Sequence, residues 1–355
     1  MKTKMNSLVL LLVLVVPAAA WSLSNALIRI GTRSSKLAQA QAREFQEVIQ
    51  RADGRVMRTE IIPIESGDKS KVTTQQTPLA IAGVDFTGTL DEALADSVVD
   101  VVVHSLKDIP PAHRWRINAE KPRVIIGAYL GPREDPLDVL VSKQEYNSLQ
   151  SLPTGTKVGS ASIRRQAQLL ACRPDFEVKN IRGNIDARLE ALDRGDVDAL
   201  ILASAGLSRL EILNEDCIAY HCKQIPASDV LPAVGQGIIA VTCRADDLET
   251  ISLLKKVDNL DNRISATAER SFLNAVDGLS PWAGRPPVAA LMSKGRAWNF
   301  RALLATPDGS RVLTYNDTID TSHCNEEAAL NIGHEAAKYL LEQAGDDFLY
   351  GYYKQ

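Results

Sequence analysis

Residues 99–110 read VDVVVHSLKDIP, and this stretch decides the fold. Asp100 opens a run of three valines, Val101, Val102 and Val103, and Pro110 closes the segment. A short β-branched run bounded by polar residues predicts a strand buried on both faces, at the centre of an α/β sheet. Its carboxyl end delivers His104, Ser105, Lys107 and Asp108, where an open α/β sheet has its ligand crevice. Lys107 beside Asp108 is the pair marked for chemistry. Read alone, it more readily describes an exposed ion pair at a strand end, since such pairs are common and contribute little.

Upstream, residues 27–31 predict a strand that Thr32, Arg33, Ser34 and Ser35 turn into a helix reaching about Gln50. Leu37, Phe45, Val48 and Ile49 share one face of that helix, with Ser34 or Ser35 as N-cap. A helix start after a strand can hold an anion, and Arg33 stands at its mouth, although a solvated turn arginine fits the segment equally. Residues 60–64 predict a second strand, 65–76 a loop, and 90–94 part of a helix leading into the valine strand. Residues 124–130 predict a further strand, ahead of the turn-rich GPREDP at 131–136, where a second domain begins.

That second domain alternates strand and helix. Residues 157–159 end a strand, Ser160, Ala161 and Ser162 form a hydroxyl-bearing turn, and 163–172 is a helix with Arg164 and Arg165 in its first turn. Two cations at the positive end of a helix are unfavourable, and an anionic ligand would offset that cost. Exposed heads in water are the plainer explanation. Residues 177–181 deliver Arg182 into a helix at 185–192 carrying Arg188, and the strand at 199–203 precedes a small-residue turn and Arg209. Three successive βα units each place arginine at the strand-to-helix end. The repetition predicts a cleft for several carboxylates or phosphates, held by charge-assisted contacts.

LPAVGQG at 231–237 reads as a hinge returning to the first sheet, where 238–242 is an apolar strand. From about Arg263 the pattern becomes α+β: a helix with Ile264, Ala268, Phe272, Leu273 and Val276 on one side, strands at 288–292 and 298–306, and a turn at 307–310 before 312–315. Asn325 caps a last helix to about Gln343, ended by Gly345. Trp298, Phe300, Phe348 and Tyr350 read as core or surface rather than a nucleic-acid platform. The expected division is domain 1 at 27–128 and 232–255, domain 2 at 129–231 and domain 3 at 256–355. The expected fold is α/β, two doubly wound domains around a cleft plus a small α+β C-terminal domain.

Composition bounds the function. The 355 residues include 45% hydrophobic and 24% charged side chains with net charge -4, which suits a globular protein of several domains and gives no reason to expect nucleic-acid binding. Five irregularly spaced cysteines make no disulfide framework. Cys217, His221 and Cys222 resemble metal ligands but lack a fourth at a zinc spacing, so no metal is expected. Lys2 and Lys4 precede the apolar run 8–16 and the small residues before Trp21, which reads as a secretory-type signal peptide over 1–20. No other segment is apolar enough to cross a membrane, so the mature chain is expected to have no membrane span.

The ordered set RIGTRSS (29–35), VHSLKDIP (103–110), REDP (133–136), GSASIRRQ (159–166), NIRGN (180–184), AGLSRL (205–210) and LPAVGQG (231–237) resembles the porphobilinogen deaminase family, also called hydroxymethylbilane synthase, over roughly 27–345. The resemblance implies two periplasmic-binding-like domains and a smaller third. It implies condensation of four porphobilinogen units into a linear tetrapyrrole with loss of ammonia, begun on a dipyrromethane cofactor joined to a cysteine. A monomer is expected. Carried over by motif, Asp108 is the catalytic carboxylate. Arg33, Lys107, Arg164, Arg165, Arg182, Arg188 and Arg209 meet the acetates and propionates, with Ser35, Ser160, Ser162 and Gln236 in support. Neighbouring cations favour the charged form of such a carboxylate.

Two segments depart from the family pattern. Residues 277–288 read DGLSPWAGRPPV, so the attachment cysteine's place falls on Ser280 or, counted from Pro287, on Gly284. A serine hydroxyl is a far weaker nucleophile than a thiolate, so covalent attachment is not expected from this text. Residues 81–89 are shortened, keep Phe86 and lack the family's lysine. Ala20-Trp21 resembles the junction of a signal peptide with a plastid transit segment, here 21–26, so plastid localisation is expected, with secretion as the alternative. A non-catalytic paralogue binding porphobilinogen or a tetrapyrrole, and a secreted small-anion-binding protein, are the alternative functions.

Overall fold

The computed structural model describes residues 27–52, 58–65, 87–111, 123–213, 219–282, 285–350 and 352. The signal and transit segments, Phe86, Cys217 and Gly284 lie outside the described residues.

The first lobe begins with β1 (Leu27–Arg33), α1 (Lys36–Ala52), β2 (Arg58–Ile64), α2 (Gly88–Ala95), β3 (Val101–Ser105) and β4 (Val124–Leu130). The chain then crosses to a second lobe made of β5 (Asp138–Ser142), β6 (Lys157–Gly159), α3 (Ile163–Cys172), β7 (Glu177–Lys179), α4 (Ile185–Asp193), β8 (Ala199–Ala203), α5 (Ser204–Arg209) and β9 (His221–Ile225). It returns as β10 (Ile239–Arg244) and α6 (Leu248–Leu254). A third unit follows: α7 (Leu260–Leu279), β11 (Val288–Lys294), β12 (Ala297–Ala305), β13 (Val312–Asp320) and α8 (Glu326–Ala344).

The two large sheets repeat one plan. The first has strand order β2-β1-β3-β10-β4 and the second β7-β6-β8-β5-β9. In each, three parallel strands are followed by one antiparallel strand, and that strand is the one arriving from the other lobe: β10 in the first sheet, β5 in the second. The valine run sits at the centre of its sheet, as its composition predicts. Val101 and Val103 pack with Phe45 and Ile49 of α1 on one face, and Val102 packs with Leu90 and Leu94 of α2 on the other. The second sheet is covered likewise, Ile201 meeting Leu169 of α3 on one face while Leu200 and Leu202 meet Leu189 and Leu192 of α4 on the other. Helices on both faces of two such sheets make the doubly wound α/β fold.

The third unit is an antiparallel sheet, β11-β12-β13, under α7 and α8. Its core holds Phe272 edge-on to Phe300 with ring centroids 6.3 Å apart, and buries Trp298 and Phe348, whereas Tyr350 is exposed. Asn325 caps α8 by accepting from Ala328 N at 2.9 Å. Gly345 ends that helix at φ 71°. Among the described residues no helix is long and apolar enough to cross a membrane.

Four short elements escape the sequence patterns: β5, β9, α5 and α6. Five- to seven-residue segments such as DVLVS or LETISLL carry too few periods to separate helix from strand, and SAGLSR has the small residues of a turn. The strand expected over 177–181 stops at Lys179, where Ile181 N donates back to Lys179 O at 3.1 Å. The helix expected from about Arg263 starts earlier, at Leu260, because Asn259 caps it by accepting from Asn262 N at 3.0 Å.

One buried carboxylate joins the three units. Glu269 of α7 is fully buried and accepts from Arg133 Nη1 on the outward crossing at 2.6 Å, from Gly235 N on the return crossing at 2.6 Å, and from Met292 N of β11 at 2.8 Å. The return crossing needs glycine at Gly237, whose φ is 90° and where a Cβ would collide with the Glu134 carbonyl oxygen. Removing one partner of a buried pair leaves an uncompensated charge. Glu269→Ala is therefore expected to lower the unfolding free energy by about 3–5 kcal/mol in urea titrations. A loss under about 1 kcal/mol would show that the junction does not depend on this pair.

Candidate active site

The parallel neighbours β1 and β3 end side by side, so Arg33 and Asp108 meet although 75 residues apart: Arg33 Nη2 donates to Asp108 Oδ2 at 2.9 Å. Asp108 sits on a single 3-10 turn, Leu106–Asp108, that leaves β3. Arg270 of α7 donates to the carbonyls of Ile109 at 3.1 Å and Pro110 at 2.9 Å, so the third unit fixes the chain just after the carboxylate. Asp108 and Arg33 remain about a quarter exposed, open to a ligand in the cleft.

Around this floor the structure gathers most of the expected cations. Arg188 of α4 is pushed down to about 10 by burial and then by Arg165 of the same lobe, against the pull of Asp108 in the first lobe. Its Nε donates to Gly183 O at 2.9 Å. Arg182 lies half-buried on the turn before α4. Lys107 opens into the cleft, and its Nζ donates to Gln236 Oε1 at 3.1 Å. Enclosure by protein, then Arg165, push its ammonium down to about 8, while Asp108 and Asp138 oppose that shift.

Arg164 and Arg165 depart from both explanations given by sequence. They do not stand in water, and their first counter-ion is a residue of the chain rather than a ligand. Both guanidiniums are buried on one carboxylate, Arg164 Nη2 donating to Asp138 Oδ2 at 2.8 Å and Arg165 Nη2 to Asp138 Oδ1 at 2.7 Å. Their Nη1 groups donate to the Leu231 and Ile201 carbonyls at 2.6 and 2.9 Å. The anion that offsets two cations at the head of α3 belongs to the chain itself. Burial alone would raise the Asp138 carboxyl, yet the two guanidiniums and the Gln236 amide hold it well below the usual carboxylate range.

Other expected residues serve mainly as supports. Ser35 Oγ accepts from Ala38 N at 3.3 Å as a cap of α1, and buried Ser160 Oγ accepts from Ser162 N at 3.3 Å in the turn before α3. Arg209 is drawn to the lobe interface, donating to Glu44 Oε2 of α1 at 2.9 Å and to Gly237 O at 3.3 Å. That placement follows from α5 packing on α1. Gln236 is buried with both ends of its amide engaged.

Sequence reasoning missed Asp138, Glu269 and Arg270. Only Asp138 carried a signal, an acidic residue opening the apolar DVLV just as Asp100 opens VVV.

Ser280 ends α7, its Oγ accepting from Trp282 N at 3.3 Å. The described cysteines lie in other parts of the fold: Cys172 at the end of α3, Cys222 on β9, Cys243 within β10 and Cys324 ahead of α8. Burial pushes the Cys243 thiol up to about 11. Among the described residues no group of His, Cys, Asp and Glu is arranged to hold a metal ion.

The fold and site define a two-lobed α/β protein that brings the part-exposed Asp108 carboxylate together with several cations. A family model described as porphobilinogen deaminase, dipyromethane cofactor binding domain, matches residues 28–252. The porphobilinogen deaminase of Syntrophomonas wolfei is 35% identical over 319 residues, covering 90% of this chain and 96% of that protein. The chloroplastic porphobilinogen deaminase of Pisum sativum is 37% identical over 332 residues, covering 91% and 83%. That of Oryza sativa, also chloroplastic, is 36% identical over 326 residues, covering 91% and 85%. This chain belongs to the porphobilinogen deaminase family, whose members are transferases of tetrapyrrole biosynthesis. Among solved structures, the periplasmic VFT2 domain of Bordetella pertussis BvgS aligns with 65% of this chain and 86% of that domain at 15% identity and a TM-score of 0.40.

His104, beneath the site, gives a pH test. Burial lowers its pKa to about 4, with Asp108 opposing and Arg33 assisting, and its Nε2 lies 3.4 Å from Thr242 Oγ1. The folded state holds it neutral while the unfolded chain takes up a proton near pH 6.5. Its stabilising effect is complete above pH 6.5 and is lost as pH falls toward 4, a loss on the order of 3 kcal/mol. Chemical unfolding across that range should show a flatter acid limb for His104→Gln than for the wild type. An unchanged slope would assign the acid sensitivity elsewhere.

Proposed function

We propose that this cleft condenses four porphobilinogen units head to tail into hydroxymethylbilane. The observation that carries the assignment is the Asp108 carboxylate, set on the turn after the central strand, 2.9 Å from Arg33, with Arg188 and Lys107 around it. Each addition breaks the aminomethyl C–N bond of one porphobilinogen, releases ammonia, and forms a C–C bond to the free α-carbon of the preceding pyrrole, which loses its proton.

Asp108 suits both needs of that step. Its oxygens accept the pyrrole N–H and oppose the positive charge that develops as ammonia leaves, and they take part in moving the proton. Arg33, Lys107, Arg182 and Arg188 bind the acetate and propionate groups, while Ser160 and Ser162 shape the turn facing them. Arg164 and Arg165, anchored on Asp138, add positive field rather than open donors.

The same cations fit a dipyrromethane, whose side chains are carboxylates of the same kind. When bound, that group supplies the terminal pyrrole carbon to which the first unit adds. Arg33, Lys107, Arg182 and Arg188 would hold it by charge. The end of α7 offers the Ser280 hydroxyl where the family resemblance places a thiol, and no covalent step is assigned there. This substitution favours a second reading, a paralogue that binds porphobilinogen in the same cleft without turnover.

Among the described residues the groups around Asp108 come from one chain, which supports a monomer. A plastid location accords with the chloroplastic rice and pea relatives. Asp108→Asn keeps the side chain's size and removes its charge; it is expected to lower kcat by about 10²–10⁴, measured as porphobilinogen consumption. Turnover within about twofold of wild type would overturn the role given to Asp108.

A further inference from the structure

A chain of hydrogen bonds joins the two lobes through one side chain. Gln236 is buried on the return crossing between Gly235 and Gly237. Its Oε1 accepts from Lys107 Nζ of the first lobe at 3.1 Å, and its Nε2 donates to Asp138 Oδ1 of the second lobe at 2.8 Å and to Pro136 O at 2.7 Å. The flanking glycines have φ of 74° and 90°, and a Cβ on either would run into Leu106 or the Glu134 carbonyl. The backbone is thereby fixed, and the amide has one path between ammonium and carboxylate.

Asp138 is the far end of this path and, among the described residues, the carboxylate that pairs with both Arg164 and Arg165. One negative charge faces two positive ones, and the Nε atoms of both arginines are buried without an acceptor. The uncompensated charge acts on Lys107, the one cation of the path that reaches the open cleft.

We propose that Asp138 is a positioning residue: acting through Gln236, it aims the Lys107 ammonium at a substrate carboxylate beside Asp108 and makes that aim depend on how the lobes meet. Lys107 lies in the first lobe, Gln236 on the crossing and Asp138 in the second lobe, so a rotation of the lobes displaces the ammonium. The substrate's identity rests on the deaminase assignment; the relay does not. Lys107 is faced by Asp108 on its own turn, Gln236 on the crossing, Asp138 at the start of β5, and Arg164 and Arg165 on α3.

The test reads Lys107 directly. Full-length protein is reductively methylated with ¹³C-formaldehyde, the Lys107 signal is assigned by its absence in Lys107→Arg, and its titration is followed by NMR. Gln236→Leu removes the acceptor of the charged amine, and Asp138→Asn removes the negative charge behind it. Both changes favour the neutral amine, so the Lys107 midpoint should fall by about half a unit or more in each. A midpoint unchanged in Gln236→Leu overturns the relay, even if Asp138→Asn fails to fold because its two arginines are left buried and unpaired.

A kinetic cycle adds a second readout. Gln236→Leu should raise KM for porphobilinogen about tenfold with little change in kcat, and should add less than about twofold when Lys107 is already Met. Full additivity in the double variant contradicts action through Lys107. A wild type without turnover would remove the deaminase assignment and leave the NMR result to decide the relay.

Discussion

The arrangement depends on a carboxylate that never sees solvent. Glu269 takes hydrogen bonds from the outward crossing, the return crossing and the third sheet at once, so the lobes and the third unit share a single fixed point. Its neighbour on α7, Arg270, reaches the carbonyls that follow Asp108. One turn of helix therefore holds both the crossings and the chain that follows Asp108. A buried ion pair is weak evidence of net stability, and its value here is positional. It fixes where two glycine-punctuated strands pass, and hence where the lobes face each other.

Charge in the cleft follows from the same economy of carboxylates. Asp108 meets Arg33, Asp138 meets two arginines, and Arg209 is taken by Glu44. Cations outnumber the acids beside them, although the whole chain is net negative. Burial is the main cause of the downward shifts of Lys107 and Arg188, and the nearby Arg165 adds to both.

Much of this was readable before any coordinates. The valine run, the strand-turn-helix units and the hinge motif each have a local physical signature, and β3, α3, β6 and β8 fall where periodicity and turn chemistry put them. The floor of the site was readable for the same reason, because strand ends in a parallel sheet converge. Partnerships across the chain were not readable. Nothing in RR at 164–165 says whether its counter-ion is a ligand or a residue 26 positions away, and nothing local in α7 marks Glu269 as a junction. Arg209 shows the same limit: its place at a strand-to-helix end was clear from sequence, while its attachment to α1 depends on how the lobes pack.

The central claim is that this cleft turns porphobilinogen over. The most direct measurement incubates the full chain with porphobilinogen, counts ammonia released against porphobilinogen consumed, and identifies the product by mass spectrometry. The account predicts one ammonia for each porphobilinogen consumed and a linear tetrapyrrole as product. Saturable binding of porphobilinogen with no ammonia and no tetrapyrrole would contradict it, and would make the chain a binding protein with the frame of a deaminase.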